Sequence, residues 1–147
     1  MFLEDEFQTS VQSQEACVVA RPPEHILIID DDETQTEVMT YRFAKQGYRV
    51  SAAHSCAEGF DLARADRPDL ILLDIGLPDG DGLQICERLC DERDTADIPV
   101  IIVSGMDTTD IVRRSRAAGC QFYVRKPYDP NALLLLAQNA ISESRDW

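Results

Sequence analysis

Long hydrophobic runs are missing from this sequence. None approaches the ~20 apolar residues that a membrane-spanning helix requires, so no membrane segment is expected. The first ten residues, Met1 to Ser10, are acidic and show no signal-peptide pattern. Positive charge is scarce as well: 14 Lys and Arg stand against 27 Asp and Glu, a formal net charge of -13. Such a surface repels phosphate backbones and anionic lipid, which argues against direct nucleic-acid or membrane binding. A basic protein surface or a divalent cation is the better-matched partner. There are only two histidines, His25 and His54, and neither lies near the five scattered cysteines in sequence. Cys17, Cys56, Cys86, Cys90 and Cys120 are therefore read as free thiols packed as small hydrophobes, not as a metal or redox set. The expected location is cytoplasmic.

What is present suits one domain of 147 residues, long enough to bury a core without staples. Residues 1–24 are polar and acidic and run into Arg21-Pro22-Pro23, so they read as a flexible N-terminal tail. The folded domain is expected over 25–147.

Within it, short apolar strands alternate with amphipathic helices. Ile26-Leu27-Ile28-Ile29, Leu70-Ile71-Leu72-Leu73 and Val100-Ile101-Ile102-Val103 are continuous apolar runs, as strands buried on both faces require. Tyr48 to Ala53 and Gln121 to Val124 are shorter and more polar and should lie nearer the sheet edges. Helices are predicted over about Thr34 to Gln46, Leu83 to Arg93 and Thr108 to Ala118. Two more are marked by their caps: Ser55 with Glu58 forms a capping box, and Asp129 precedes Pro130. Gly47 and Gly119 sit where helix C-caps belong. Five β/α units imply a doubly wound, five-stranded parallel α/β sheet flanked by five helices.

Such sheets bind ligands outside the carboxyl ends of their strands. The residues there are Asp30 and Asp31, then Asp74, then Ser104, and finally Lys126-Pro127. Converging carboxylates stay ionised together only beside a cation. Hard oxygen donors with room for water suit Mg²⁺. A lysine and a hydroxyl opposite that cation would hold the remaining oxygens of a phosphoryl group. The implied chemistry is a carboxylate nucleophile that forms an acyl phosphate.

The segments Ile28-Ile29-Asp30-Asp31-Asp32, Leu72-Leu73-Asp74 through Leu77-Pro78-Asp79-Gly80-Asp81-Gly82, Ile102-Val103-Ser104-Gly105 and Tyr123-Val124-Arg125-Lys126-Pro127 resemble, in order and spacing, the motifs of response regulator receiver domains. The resemblance covers roughly His25 to Ser142. It implies a flavodoxin-like (CheY-like) topology and phosphorylation on Asp74. It further implies Mg²⁺ held by Asp30, Asp31, Asp74 and the backbone carbonyl of Gly76. Ser104 and Lys126 would contact the phosphoryl group, with Pro127 aiming the lysine, and Tyr123 would be the aromatic switch. The partners implied are a sensor histidine kinase or histidine phosphotransfer protein and a downstream protein reading the α4-β5-α5 face. A receiver has no separate substrate, so an enzyme in the usual sense is not expected. The chain would be either a single-domain regulator or part of a longer protein.

Some positions depart from common receiver usage. Gly76 and Met106 stand where side-chain polarity often tunes acyl-phosphate hydrolysis, and Gln121-Phe122 replaces an acidic pair found in one dimer mode. Arg113, Arg114, Arg116 and Arg125 form a basic cluster, read either as a solvated helix face or as a docking patch. Two rival functions fit parts of the sequence. Asp30-Asp31-Asp32-Glu33-Thr34 also fits the nucleophile motif of haloacid-dehalogenase-type phosphatases, with Asp30 as nucleophile. The other rival is a receiver-like scaffold that is never phosphorylated.

Overall fold

Each apolar strand distributes its side chains to two faces, and that alternation sets the layers. In the first strand Ile26 and Ile28 join a cluster with Met39, Phe43, Leu133, Ala137 and Ile141. Leu27 and Ile29 point the other way, into a cluster with Phe60, Ala63, Leu83, Cys86 and Leu89. Both clusters exclude water almost completely, and this burial is the main favourable term in folding.

The computed structural model describes residues 22–77, 80–105 and 109–145. The elements run β1 His25–Ile29, α1 Glu33–Lys45, β2 Arg49–Ala53, α2 Cys56–Asp66, β3 Leu70–Leu73, α3 Gly82–Asp91, β4 Val100–Ser104, α4 Thr109–Ala117, β5 Phe122–Arg125 and α5 Pro130–Arg145. All strand pairs are parallel, in the order β2-β1-β3-β4-β5. The two more polar strands, β2 and β5, are the edges, as their composition predicts. α1 and α5 cover one face of this flavodoxin-like sheet, while α2 and α3 cover the other.

The helix ends follow local chemistry. Asp32 caps α1 by accepting from the Gln35 amide, and Asp81 caps α3 by accepting from the Leu83 amide. At α2 the Ser55 hydroxyl accepts from the Glu58 amide, but Glu58 reaches back to the amide of His54, one residue beyond the cap. Asp129 accepts from the Asn131 amide at the start of α5. Gly47 and Gly119 adopt φ of +94° and +105°, in the left-handed region that favours glycine. α2 ends instead on Arg67 at φ 45°, a position the sequence does not flag. α3 stops at Asp91, short of the expected Arg93, and Thr95 satisfies the Leu89 carbonyl through its hydroxyl.

Most of the acidic tail expected over 1–24, and with it Cys17, lies outside the described residues, as do Pro78, Asp79 and Met106. Glu24 itself is tied in: its carbonyl accepts from the Arg49 amide, and its carboxylate pairs with Arg145 at 2.7 Å. Among the described residues no helix is long and apolar enough to cross a membrane.

Candidate functional site

Strand order decides which residues meet. β1 lies between β2 and β3, so the chain winds outward in opposite directions from the β1/β3 pair. Asp30 follows β1 and Asp74 follows β3, which places both at this switch point. Their backbones remain in the ladder. The Asp30 amide donates to the Ala53 carbonyl at 3.0 Å and the Asp74 amide to the Ile29 carbonyl at 2.9 Å. On the next strand Ser104 ends β4, and its carbonyl accepts from the Lys126 amide at 2.8 Å. The sheet thus fixes Asp30, Asp74, Ser104 and Lys126 by main-chain bonds before any side chain is considered.

The side chains of Asp30, Asp31 and Asp74 converge, with one carboxylate oxygen of each within 4.8 Å of the others. No other group of three potential metal ligands meets this condition among the described residues. Lys126 Nζ donates to Asp30 Oδ2 at 3.1 Å and to Asp74 Oδ2 at 3.2 Å. The other Asp30 oxygen accepts from the Asp32 amide at 3.0 Å, and the other Asp74 oxygen from the Gly76 amide at 2.9 Å. The Lys126-Pro127 bond is cis.

Exposure separates the three acids. The Asp30 side chain is 4% exposed and that of Asp74 15%, while Asp31 is open to solvent. Burial pushes the Asp30 carboxyl above the ordinary aspartate value. The Asp32 amide and Lys126 oppose that rise, and the Asp74 charge adds to it. Burial alone would weaken the Lys126 ammonium, but its bond to Asp30 and the charge of Asp74 prevail and raise its pKa. With all three acids ionised, one ammonium against three carboxylates leaves two negative charges for a cation to balance.

Residues 26–138 match the model of the response regulator receiver domain. The chain belongs to this family. It is 39% identical over 110 residues to Protein PilH of Pseudomonas aeruginosa, a match covering 74% of this chain and 90% of that protein. It is 37% identical over 111 residues to the transcriptional regulatory protein CseB of Streptomyces coelicolor, covering 75% of this chain. That match spans only 46% of CseB, about half its length. Among solved structures, a CheY-like receiver domain from Methanospirillum hungatei superposes with a TM-score of 0.80. It shares 28% identity, with 84% of this chain and 98% of that one covered.

Two contributors to this receiver site have roles that only the folded chain reveals. The His54 ring nitrogen Nδ1 lies 2.9 Å from the Asp30 carbonyl oxygen and donates to it, bracing the residue from β2. Gly82 lets α3 approach the Asp74 loop: a Cβ there would collide with the Ile75 backbone and lie 3.0 Å from the Asp74 carbonyl. The second glycine of Asp79-Gly80-Asp81-Gly82 could have been flagged by its place at a helix start. His54 could not, because its partner is fixed only by strand order.

Ser104 is buried and Tyr123 half-buried, the latter packed against the cluster under α2 and α3. The basic cluster is partly spent internally. Arg113 pairs with Asp110 at 2.9 Å and Arg114 approaches Asp81 at 3.9 Å, all on exposed surface.

Proposed function

We propose that Asp74 accepts a phosphoryl group from a histidine kinase, a histidine phosphotransfer protein or a small phosphodonor, and that the acyl phosphate switches a protein-binding face. The observation that carries this reading is Lys126 spanning Asp30 and Asp74 at the switch point, with Asp31 beside them. Asp74 is the more exposed of the two carboxylates that Lys126 holds, and its loop presents an amide from Gly76. Asp30 is buried, with both oxygens engaged, which suits a support for the cation better than a nucleophile.

In this reading Asp30, Asp31, Asp74 and the Gly76 carbonyl hold Mg²⁺. The three hard oxygen donors and the two uncompensated charges fit that ion. When bound, it would neutralise charge on the phosphoryl oxygens. An Asp74 oxygen attacks phosphorus in line with the donor's leaving group, and Lys126 shifts from carboxylate to phosphoryl oxygen. Ser104 donates its hydroxyl to another oxygen, and Tyr123 moves with it. The α4-β5-α5 face then carries the signal to a downstream protein, without direct contact to nucleic acid or membrane and within the cytoplasm.

The test is incubation with Mg²⁺ and acetyl phosphate, followed by mapping of the labelled residue. Label is expected on Asp74 and lost in Asp74→Ala, with Lys126→Ala slowing uptake on the order of 10²-fold. Label on Asp30 would favour a phosphatase of the haloacid-dehalogenase type. No label under any donor would favour a constitutive scaffold. None of the acids, the lysine or the hydroxyl is missing, which argues against that last reading.

A further inference from the structure

On the sheet face away from α1 and α5, three cysteines lie near one another around the end of α3. Cys86 and Cys90 lie one turn apart on that helix, and their thiols interact electrostatically. The Cys90 sulfur sits against the turn between α4 and β5, 3.8 Å from the Gly119 carbonyl. A Cβ on Gly119 would lie 3.3 Å from Cys90 Cβ and collide with its sulfur. Cys120 is the next residue and interacts electrostatically with both α3 cysteines. All three are unbridged. Cys86 is fully buried, whereas Cys90 and Cys120 are part-exposed.

We propose that Cys90 is a peroxide-reactive thiol and that Cys120 resolves its oxidised form into a disulfide linking α3 to the α4–β5 turn. This inference is independent of the phosphoacceptor reading, and it revises the expectation that the cysteines serve only as small hydrophobes.

The roles follow from geometry. Side chains at i and i+4 on a helix hold their Cβ atoms about 5–6 Å apart, whereas a disulfide needs about 3.5–4.5 Å. Cys86 therefore cannot bridge to Cys90 while α3 stays wound. Cys120 lies on a turn, outside that constraint. Interaction with the Cys86 thiol lowers the Cys90 thiol to about 7, while burial raises that of Cys120. Thiolate gained outweighs intrinsic reactivity lost, a net advantage of about fivefold over an unperturbed thiol at neutral pH. Among the described residues only the three aspartates bring three ligand atoms within 4.8 Å, so one metal ion does not bridge these sulfurs.

The chemistry closes with a hydroperoxide as oxidant. The Cys90 thiolate attacks one peroxide oxygen, the O–O bond breaks, and hydroxide leaves and is protonated to water. The sulfur is oxidised by two electrons to a sulfenic acid. The Cys120 thiolate then attacks that sulfur, expelling hydroxide, which takes up the proton lost by Cys120. Two thiols and one hydrogen peroxide become one disulfide and two waters.

The test treats the full chain with hydrogen peroxide near equimolar, blocks remaining thiols with an alkylating agent, and maps a non-reduced digest by mass spectrometry. A Cys90–Cys120 linked peptide is expected. In Cys120→Ser, a sulfenic-acid-trapping dione should label Cys90 instead, and Cys90→Ser should lose both products. On the unmutated protein, alkylation of Cys90 should outpace that of Cys120 by more than about fivefold and inflect near the lowered value. That arm holds even if a variant folds poorly. A Cys86–Cys90 bridge, an intermolecular bridge through Cys17, or equal reactivity of Cys90 and Cys120 would each overturn the proposal.

Discussion

A single ammonium group separates the two carboxylates deepest in the site. Lys126, one of only two lysines in the chain, has donors within 3.2 Å of both Asp30 and Asp74. Replacing it by methionine should cost about 1–3 kcal/mol in denaturant unfolding with chelator present, because a buried carboxylate loses its counter-charge. Added Mg²⁺ should narrow the gap to wild type; an unchanged gap would place the cation elsewhere. A second residue titrates for a different reason. The His25 Nδ1 accepts from the Arg49 guanidinium at 3.1 Å, which can only donate, so Nε2 carries the proton toward Ser51 at 2.7 Å. Burial first, and then the Arg49 charge, lower the His25 pKa below its ordinary 6.5. The unfolded chain therefore binds the extra proton first. The histidine's contribution is complete above pH 6.5 and is lost as pH falls through the lowered value. A stability–pH profile of His25→Gln should lack this part of the acid limb, and a superimposable profile would refute it.

At the scale of elements, α3 is placed by what its first residue lacks. Gly82→Ala puts a methyl into the Ile75 backbone and against the Asp74 carbonyl, and neither is the yielding end of a flexible side chain. Thermal unfolding should show a loss of about 1–3 kcal/mol. The surviving protein should take up phosphoryl from acetyl phosphate more slowly, since the Asp74 loop must shift. Normal uptake with lowered stability would show that the helix and the loop move independently. The elements themselves were legible wherever one residue type has one use. The apolar runs at 26–29, 70–73 and 100–103 could only be buried strands. Ser55, Asp129, Gly47 and Gly119 mark their helix ends through local hydrogen bonds and backbone sterics. Strand-end position likewise exposed Asp30, Asp74 and Lys126 as a set, since a parallel sheet brings such residues to one rim. Arg67 as a left-handed cap was not legible, because arginine carries no preference for that backbone region. The bonds from His54 to Asp30 and from Cys90 to Gly119 join positions 24 and 29 residues apart. Only the assembled sheet brings them together.

Seen as a whole, the molecule is a plate of five parallel strands between two dry layers, with Asp30, Asp74, Ser104 and Lys126 on one rim. The amides of Asp30, Asp74 and Lys126 are rungs of that plate, bonded to Ala53, Ile29 and Ser104. The Gly76 amide has a different kind of partner, a side-chain oxygen of Asp74. Hydrogen–deuterium exchange should therefore split the site into two clocks. The three rung amides should exchange only when the sheet itself opens, among the slowest in the protein and indifferent to phosphorylation. The Gly76 amide should exchange early, and its rate should change once Asp74 becomes an acyl phosphate. Rates that moved together at all four amides would mean the frame itself yields. The same backbone thus supplies a fixed clock and a sensitive one, two residues apart.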